Sequence, residues 1–368
     1  MARVELERVN KIYRGRGIEV HAVRDLSLTV EDGEFVAILG PSGCGKTSTL
    51  RMIVGLEDIT SGEIRFDGER VNERGPEARN VAMAFETYAL YPTFTVFENL
   101  AFPLEVRGLE RARIEREVRE IARLLEIENI LDQKPGQLSG GQQQRVSLGR
   151  ALVRDPAVFI LDEVMSHIDA HLKFRMLFEL KRLHQRIGRT MIYVTHDQIE
   201  ALALADRVAV MSNAELQQFG DRDALYNRPA NRFVADFIGE PATNFFTARI
   251  RREGEELLLP VEGTELVFRP DAERRKALER FSGNEVVVGI RPQNLTIEPV
   301  AESERIEAQV DIFEYLGEMA ILALRSGSEL FRALASPRQR MEPGTRLSLH
   351  YRREDVMLFD PASGVFLA

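Results

Sequence analysis

Residues 40–47 read Gly40-Pro41-Ser42-Gly43-Cys44-Gly45-Lys46-Thr47. A glycine, four residues, then Gly-Lys-Thr is the spacing of a phosphate loop. The chemistry follows from the residue types. Glycines let backbone N–H groups converge on polyphosphate oxygens, the Lys46 ammonium neutralises the outer phosphates, and the Thr47 hydroxyl suits Mg2+. The flanks fit this reading. Phe35-Val36-Ala37-Ile38-Leu39 is a continuous apolar run, as in a buried parallel strand, and Leu50, Ile53 and Val54 follow at helical spacing. Strand, glycine turn and helix predict a nucleoside-triphosphate site running from Gly40 to Ser48.

Three further segments carry chemistry. Leu138-Ser139-Gly140-Gly141-Gln142 sets two glycines beside a serine, at the start of a helix expected to continue through Leu152. A serine there caps the helix or meets an anion, and residue type alone leaves both open. Val158-Phe159-Ile160-Leu161-Asp162-Glu163 is a buried strand ending in two acids. Asp162 can hold Mg2+, and Glu163 can orient or deprotonate an attacking water. Tyr193-Val194-Thr195-His196-Asp197 ends another apolar strand. Of the six histidines His196 alone stands in that position, placed to reach a γ-phosphate.

The elements that must hold these residues alternate along the chain. From Glu34 to about Met211, the apolar runs 35–39, 158–161, 191–194 and 207–211 are separated by helical stretches. That order predicts an α/β domain with a mostly parallel sheet. The block 87–154 breaks the alternation and reads as a helical insertion. Beyond Phe237-Ile238-Gly239-Glu240-Pro241, short apolar runs such as Leu257-Leu258-Leu259 and Val286-Val287-Val288 lie between turn glycines. They predict an all-β domain, a small barrel, in which only Asp271 to Phe281 is helical. The expected division is 1–239 and 240–368.

Composition sets outer bounds. A chain of 368 residues has room for two cores, and 29% charged with 44% hydrophobic residues is ordinary for a soluble globular protein. The net charge of −9 argues against nucleic acid or an anionic membrane surface as the main partner. Cys44 is the only cysteine, so no internal disulfide forms and a reducing compartment is expected. The opening Met-Ala-Arg-Val-Glu-Leu-Glu lacks the apolar stretch of a signal peptide. No segment reaches the ~18 apolar residues that span a bilayer. Work at a membrane would need another chain as anchor.

In order and spacing these motifs resemble those of the ATP-binding-cassette ATPases. Gly40–Thr47 is similar to Walker A, Leu138–Gln142 to the family signature, Phe159–Glu163 to Walker B, Ser166-His167-Ile168-Asp169 to the D-loop, and His196 to the switch histidine. Tyr88-Ala89-Leu90-Tyr91-Pro92, the run 231–239 and Val288-Gly289-Ile290-Arg291-Pro292 resemble the carbohydrate-importer branch, of maltose and glycerol-phosphate type. The resemblance implies a P-loop ATPase domain with a helical subdomain, then an OB-like regulatory and dimerising barrel. It implies ATP and Mg2+, with Tyr13 stacking on adenine. Ser139, Gly140, Gly141, Gln142 and Asp169 would reach the nucleotide of a second ATPase subunit, identical or different. Tyr88, Leu90, Tyr91, Pro92 and Phe94 would dock one of two membrane-spanning permease subunits, served by an extracytoplasmic solute-binding protein. The place of work would be the cytoplasmic face of the cell membrane. The solute would be a sugar or polyol; polyamine, iron and other anion importers share the architecture. A soluble mechanical ATPase would be expected to show a long coiled-coil insertion, a basic surface or a second cassette. A silent subunit is opposed by Glu163 and His196 together.

Three positions depart from the family pattern: Val164 replaces a proline, His167 an asparagine, and Glu86 a glutamine that serves as Mg2+ ligand and catalytic residue. Glutamate keeps an oxygen ligand but loses the N–H donors and adds charge. A carboxylate ~5 Å from a phosphate charge costs about 3 kcal/mol at an effective dielectric of 20, before the metal offsets it. Pairing with a different subunit that carries glutamine would give one standard and one slower site. The purified chain alone should then hydrolyse ATP weakly, and Glu86→Gln should raise the rate in a phosphate-release assay. Robust turnover, unchanged or lowered by that substitution, would exclude the unequal pair.

Overall fold

Six strands place the ends of the apolar runs along one edge. In the computed structural model, which describes residues 2–15, 17–84, 89–154, 156–165, 170–254 and 256–368, the chain divides into two units, Met1–Arg222 and Asp223–Ala368. The first unit begins with β1 (Val4–Gly15) and β2 (Ile18–Val30), followed by β3 (Phe35–Leu39) and helix α1 (Lys46–Val54). Next come β4 (Ser61–Phe66), β5 (Glu69–Arg70) and β6 (Val81–Ala84). Helices α2 (Val96–Val106), α3 (Arg111–Leu124) and α4 (Gly140–Leu152) fill the interval that the sequence marks as a helical insertion. The unit closes with β7 (Val158–Asp162), α5 (Ala170–Ile187), β8 (Thr190–Thr195), α6 (Gln198–Leu204), β9 (Arg207–Ser212) and β10 (Glu215–Gly220).

Strands β10-β9-β3-β8-β7-β6 form one sheet, parallel except for the β9–β10 hairpin. All five residues of β3 are buried, and successive ones face opposite sides. On one side Val36 and Ile38 join a core with Leu50 and Ile53 of α1; on the other, Phe35 packs edge-on against His184 of α5 at 5.1 Å. Burial on both faces is why the run is continuously apolar.

The antiparallel sheet β2-β1-β4-β5 was not foreseen. Its strands supply Val4, Leu6, Val9, Leu26 and Leu28 to the same core, so α1 and the parallel sheet share their apolar face with it. Irregular pairing between Leu6 and Val9 and again around Lys11, with Arg8 at φ +45, breaks the alternation that would have marked β1 in the sequence.

The second unit carries three antiparallel sheets with one large core and a smaller apolar cluster of Ala235, Val287, Met357 and Phe359. Phe246, Phe268 and Tyr351 form a chain of rings with centroids 5.3 and 5.5 Å apart, and Tyr351 accepts the Arg269 backbone N–H at 2.9 Å. Burial pushes the Tyr351 hydroxyl up to about 12. Among residues 240–368, helix α9 (Ala272–Arg280) lies within the stretch expected to be helical. The structural division lies at Arg222/Asp223, ahead of Gly239. Helices α7 (Arg222–Asn227) and α8 (Arg232–Phe237) precede the sheets, and Asn231 and Val365 form a β-bridge. Arg291 is the physical reason. Its buried guanidinium donates to the carbonyls of Tyr226 at 2.6 Å and of Ile238, lies 3.7 Å over the Tyr226 ring, and is pulled down to about 10 by burial. Among the described residues no helix is long and apolar enough to cross a membrane.

Arg291→Met should leave those carbonyls without donors inside the unit, costing about 3 kcal/mol. Scanning calorimetry should show the transition of the second unit lowered by several degrees while nucleotide binding by the first unit is retained.

Candidate functional site

The loop 40–47 leaves β3 and enters α1 through a slot between two backbones. A Cβ on Gly40 would lie 2.2 Å from the Met211 carbonyl of β9, and one on Gly45 would lie 2.2 Å from the Ala22 carbonyl of β2. Gly45 also sits at φ +104, where side chains are strained, and caps α1 without a side-chain hydrogen bond. The first N–H groups of α1 therefore face the loop rather than a capping oxygen. At the far end the helix is closed. Arg79 donates to the carbonyls of Met52 at 2.6 Å and Ile53 at 2.7 Å, a buried cation against the negative end of the dipole.

Within the loop, Lys46 Nζ donates to the carbonyls of Gly40 at 2.8 Å and Pro41 at 3.0 Å, which folds the ammonium over the mouth. Pro41, Ser42, Gly43 and Thr47 are exposed there, and Ser48 is half-buried. Cys44 points inward, and burial raises its pKa against the pull of Lys46, so it packs as a thiol. Tyr13 reaches the same helix, its hydroxyl 3.3 Å from Ser48 Oγ. Lys11, anchored on the Asp58 carbonyl at 2.6 Å and on Glu57 at 3.0 Å, lies 4.8 Å from the centre of the Tyr13 ring.

Strands β7 and β8 are adjacent, which brings their C-terminal residues together. Asp162 ends β7; Glu163 follows at φ +46 with its N–H on the Val194 carbonyl at 2.9 Å. Its Oε2 is 3.2 Å from His196 Nδ1. Two residues 33 positions apart in the chain thus form one pair, as two strand ends side by side require. Beneath His196, Asp197 caps α6 and Lys173 of α5 contacts both Asp197 and Glu200. Lys173, Glu200, Lys11 and Arg79 were not singled out from the sequence; their partners lie in other elements, and no local pattern marks them.

Ser139 is exposed and caps α4. It accepts the Gln142 N–H at 3.4 Å and returns its own N–H to Gln142 Oε1 at 2.9 Å, a reciprocal capping box. Of the two roles that residue type left open, capping is observed; Gly140 and Gly141 open the helix behind it. In the segment before α2, Tyr91 and Pro92 are exposed, while Leu90 and Phe94 are half-buried. Tyr91, Phe94 and Phe102 cluster with centroids 5.1 to 5.8 Å apart. Buried Asn99 fastens this segment, accepting the Tyr91 N–H at 2.9 Å and donating to the carbonyls of Tyr91 and Thr95. Glu86, Tyr88, His167 and Asp169 lie outside the described residues.

Comparison with known proteins places this arrangement. The ABC transporter family model matches residues 23–166, the MalK OB fold domain model 239–295 and the TOBE domain model 288–359. The trehalose/maltose import ATP-binding protein MalK of Thermococcus litoralis is 43% identical over 99% of this chain and 99% of its own length. The chain belongs to the ABC transporter ATPases. The trehalose import ATP-binding protein SugC of Mycobacterium tuberculosis is 49% identical, over 86% of this chain and 80% of its own. A solved structure, the dimeric ATP-binding cassette MJ0796 in a post-hydrolysis state bound to ADP and Pi, superposes with a TM-score of 0.55 at 29% identity. It covers 59% of this chain and 98% of that cassette. The β-rich second unit matches the expected OB-like fold.

Gly45→Ala should push a methyl into the Ala22 carbonyl while straining the backbone. Titration with ATP should show affinity falling by at least 100-fold, with Lys46 and Thr47 unchanged in sequence.

Proposed function

We propose that this chain hydrolyses ATP to power uptake of a sugar or related small solute through separate membrane subunits. The observation that carries the reading is the Glu163–His196 pair at 3.2 Å, set at the ends of adjacent strands of the sheet whose β3 leads into the phosphate loop. The import ATP-binding names of its relatives support the transport role, and trehalose or maltose is the class of solute they suggest.

The residues present divide the work. Backbone N–H groups of the loop and the Lys46 ammonium compensate the phosphates. Glu163 takes the proton of the attacking water as its oxygen bonds to the γ-phosphorus and the bond to the β-phosphate oxygen breaks. His196 holds the Glu163 carboxylate in place and offers a donor toward the γ-phosphate. Exposed Thr47 and half-buried Asp162 are a hydroxyl and a carboxylate, donors that fit Mg2+. Bound there, the metal would neutralise charge developing on the phosphate oxygens. Tyr13 offers a ring beside α1 for the adenine.

The exposed Ser139–Gly140 end of α4 is our proposed contact with the nucleotide of a second subunit, with Gln142, Gly141 and Asp169 beside it. The dimeric state of the MJ0796 cassette supports a pair, of like or unlike chains. Tyr91, Pro92 and their neighbours would receive a short helix of one of two permease subunits, with a solute-binding protein acting on the far side. This holds the protein at the cytoplasmic face of the membrane. The β-rich unit would add a contact between the paired subunits.

Glu163→Gln keeps the shape and removes the base. ATP binding should persist while phosphate release falls at least 100-fold. Gel filtration with ATP should show a persistent pair. Unchanged turnover would move the base elsewhere.

A further inference from the structure

His196 is exposed, and what fixes its backbone is a charged cluster beneath it. Lys173, on the first turn of α5, places Nζ 2.5 Å from Asp197 Oδ2 and 2.5 Å from Glu200 Oε1. Glu200 is 2% exposed, and its other oxygen accepts Thr195 Oγ1 at 2.5 Å and the Tyr193 hydroxyl. Thr195 Oγ1 in turn accepts the Asp197 N–H at 3.0 Å, and Asp197 Oδ1 accepts the N–H groups of Ile199 and Glu200. The residues on both sides of His196 are thereby tied to one buried carboxylate and one ammonium.

The charges are matched narrowly. Two carboxylates share a single lysine, and one of them is cut off from water. Burial alone would lower the pKa of Lys173 and raise that of Asp197; their mutual hydrogen bond reverses both, helped for Lys173 by its bond to Glu200 and for Asp197 by the N–H groups of Glu200 and Ile199. Without the ammonium, Glu200 would be a buried charge facing a second carboxylate, and the turn 195–197 would have to move to relieve it. A displacement of ~1 Å at a catalytic group is enough to cost 100-fold in rate.

We propose that Lys173 is a positioning residue for hydrolysis, holding the turn that carries His196 in register with Glu163. Its link runs from α5 to the β8–α6 turn, so the attitude of that helix and the readiness of the hydrolytic pair are set together. The inference rests on the reading of Glu163 and His196 as that pair.

The test is steady-state ATP hydrolysis by the purified full chain, with wild type and Glu163→Gln as controls for that underlying reading. Lys173→Met should lower kcat at least 30-fold with the KM for ATP within about threefold, whereas Lys173→Arg should recover most of the rate. Glu200→Gln, which keeps the shape of its side chain, should also lower kcat and spare KM; it serves if Lys173→Met fails to fold. Combining Lys173→Met or Glu200→Gln with His196→Ala should cost little beyond His196→Ala alone, because the residues act through one group. Wild-type turnover in Lys173→Met or Glu200→Gln, or losses that multiply with that of His196→Ala, would overturn the proposal. If the controls still show hydrolysis that needs Glu163, the pair would stand and only the role of Lys173 would fall.

Discussion

The phosphate loop runs between two carbonyl groups with no room for a Cβ at either. Met211 of the parallel sheet closes on Gly40 and Ala22 of the antiparallel sheet closes on Gly45. Much of the first unit can be understood from this slot. It needs two sheets facing each other, and the core that joins them is built from Val4, Leu6, Leu26 and Leu28 on one side and Val36, Ile38 and Ile192 on the other, with α1 contributing Leu50 and Ile53. The antiparallel sheet thus acts as a wall of the site as well as a support for Tyr13. A loop held on both sides cannot relax when a polyanion arrives, and preorganised N–H groups stabilise charge better than groups that must first turn toward it.

Electrostatics follows the same geometry. Helix α1 has an uncapped N-terminus toward the loop and a buried cation, Arg79, at its other end. Lys46 rests on carbonyls of the loop it serves. Farther along the sheet edge, Glu163 and His196 satisfy each other, and Lys173 is shared by Asp197 and Glu200. Charge is concentrated at strand ends, and each buried charge has partners, since an isolated one would cost several kcal/mol. Such matching makes the region sensitive to small displacements.

The second unit uses a buried cation differently. Arg291 meets carbonyls and an aromatic face, gathering α7, α8 and the chain after them onto the β-rich core. That is why residues 223–239, whose composition resembles the helices before them, belong structurally with the strands that follow. The matches to the MalK OB fold and TOBE domain models cover this β-rich part of the chain.

Local pattern was enough for the phosphate loop, the acids after Val158–Leu161, the four apolar runs of the parallel sheet, the helical insertion and the β-rich second half. Each is written in contiguous residues: a fully buried strand is continuously apolar, and a glycine turn before Lys-Thr has few other uses. The sequence therefore determined the order of elements. It left open whether Ser139 serves as a cap, and missed the first sheet because bulges near Arg8 and Lys11 interrupt its alternation; its boundary falls where the MalK OB fold match begins, 17 residues beyond the structural division. Only the tertiary structure decided that Glu163 meets His196, that Ala22 and Met211 wall the loop, and that Lys173 sits under the turn that carries His196. The reason is physical: those relations are made by strand order and helix packing between segments far apart in the chain, and no local period or composition records which distant carbonyl or carboxylate a side chain will face.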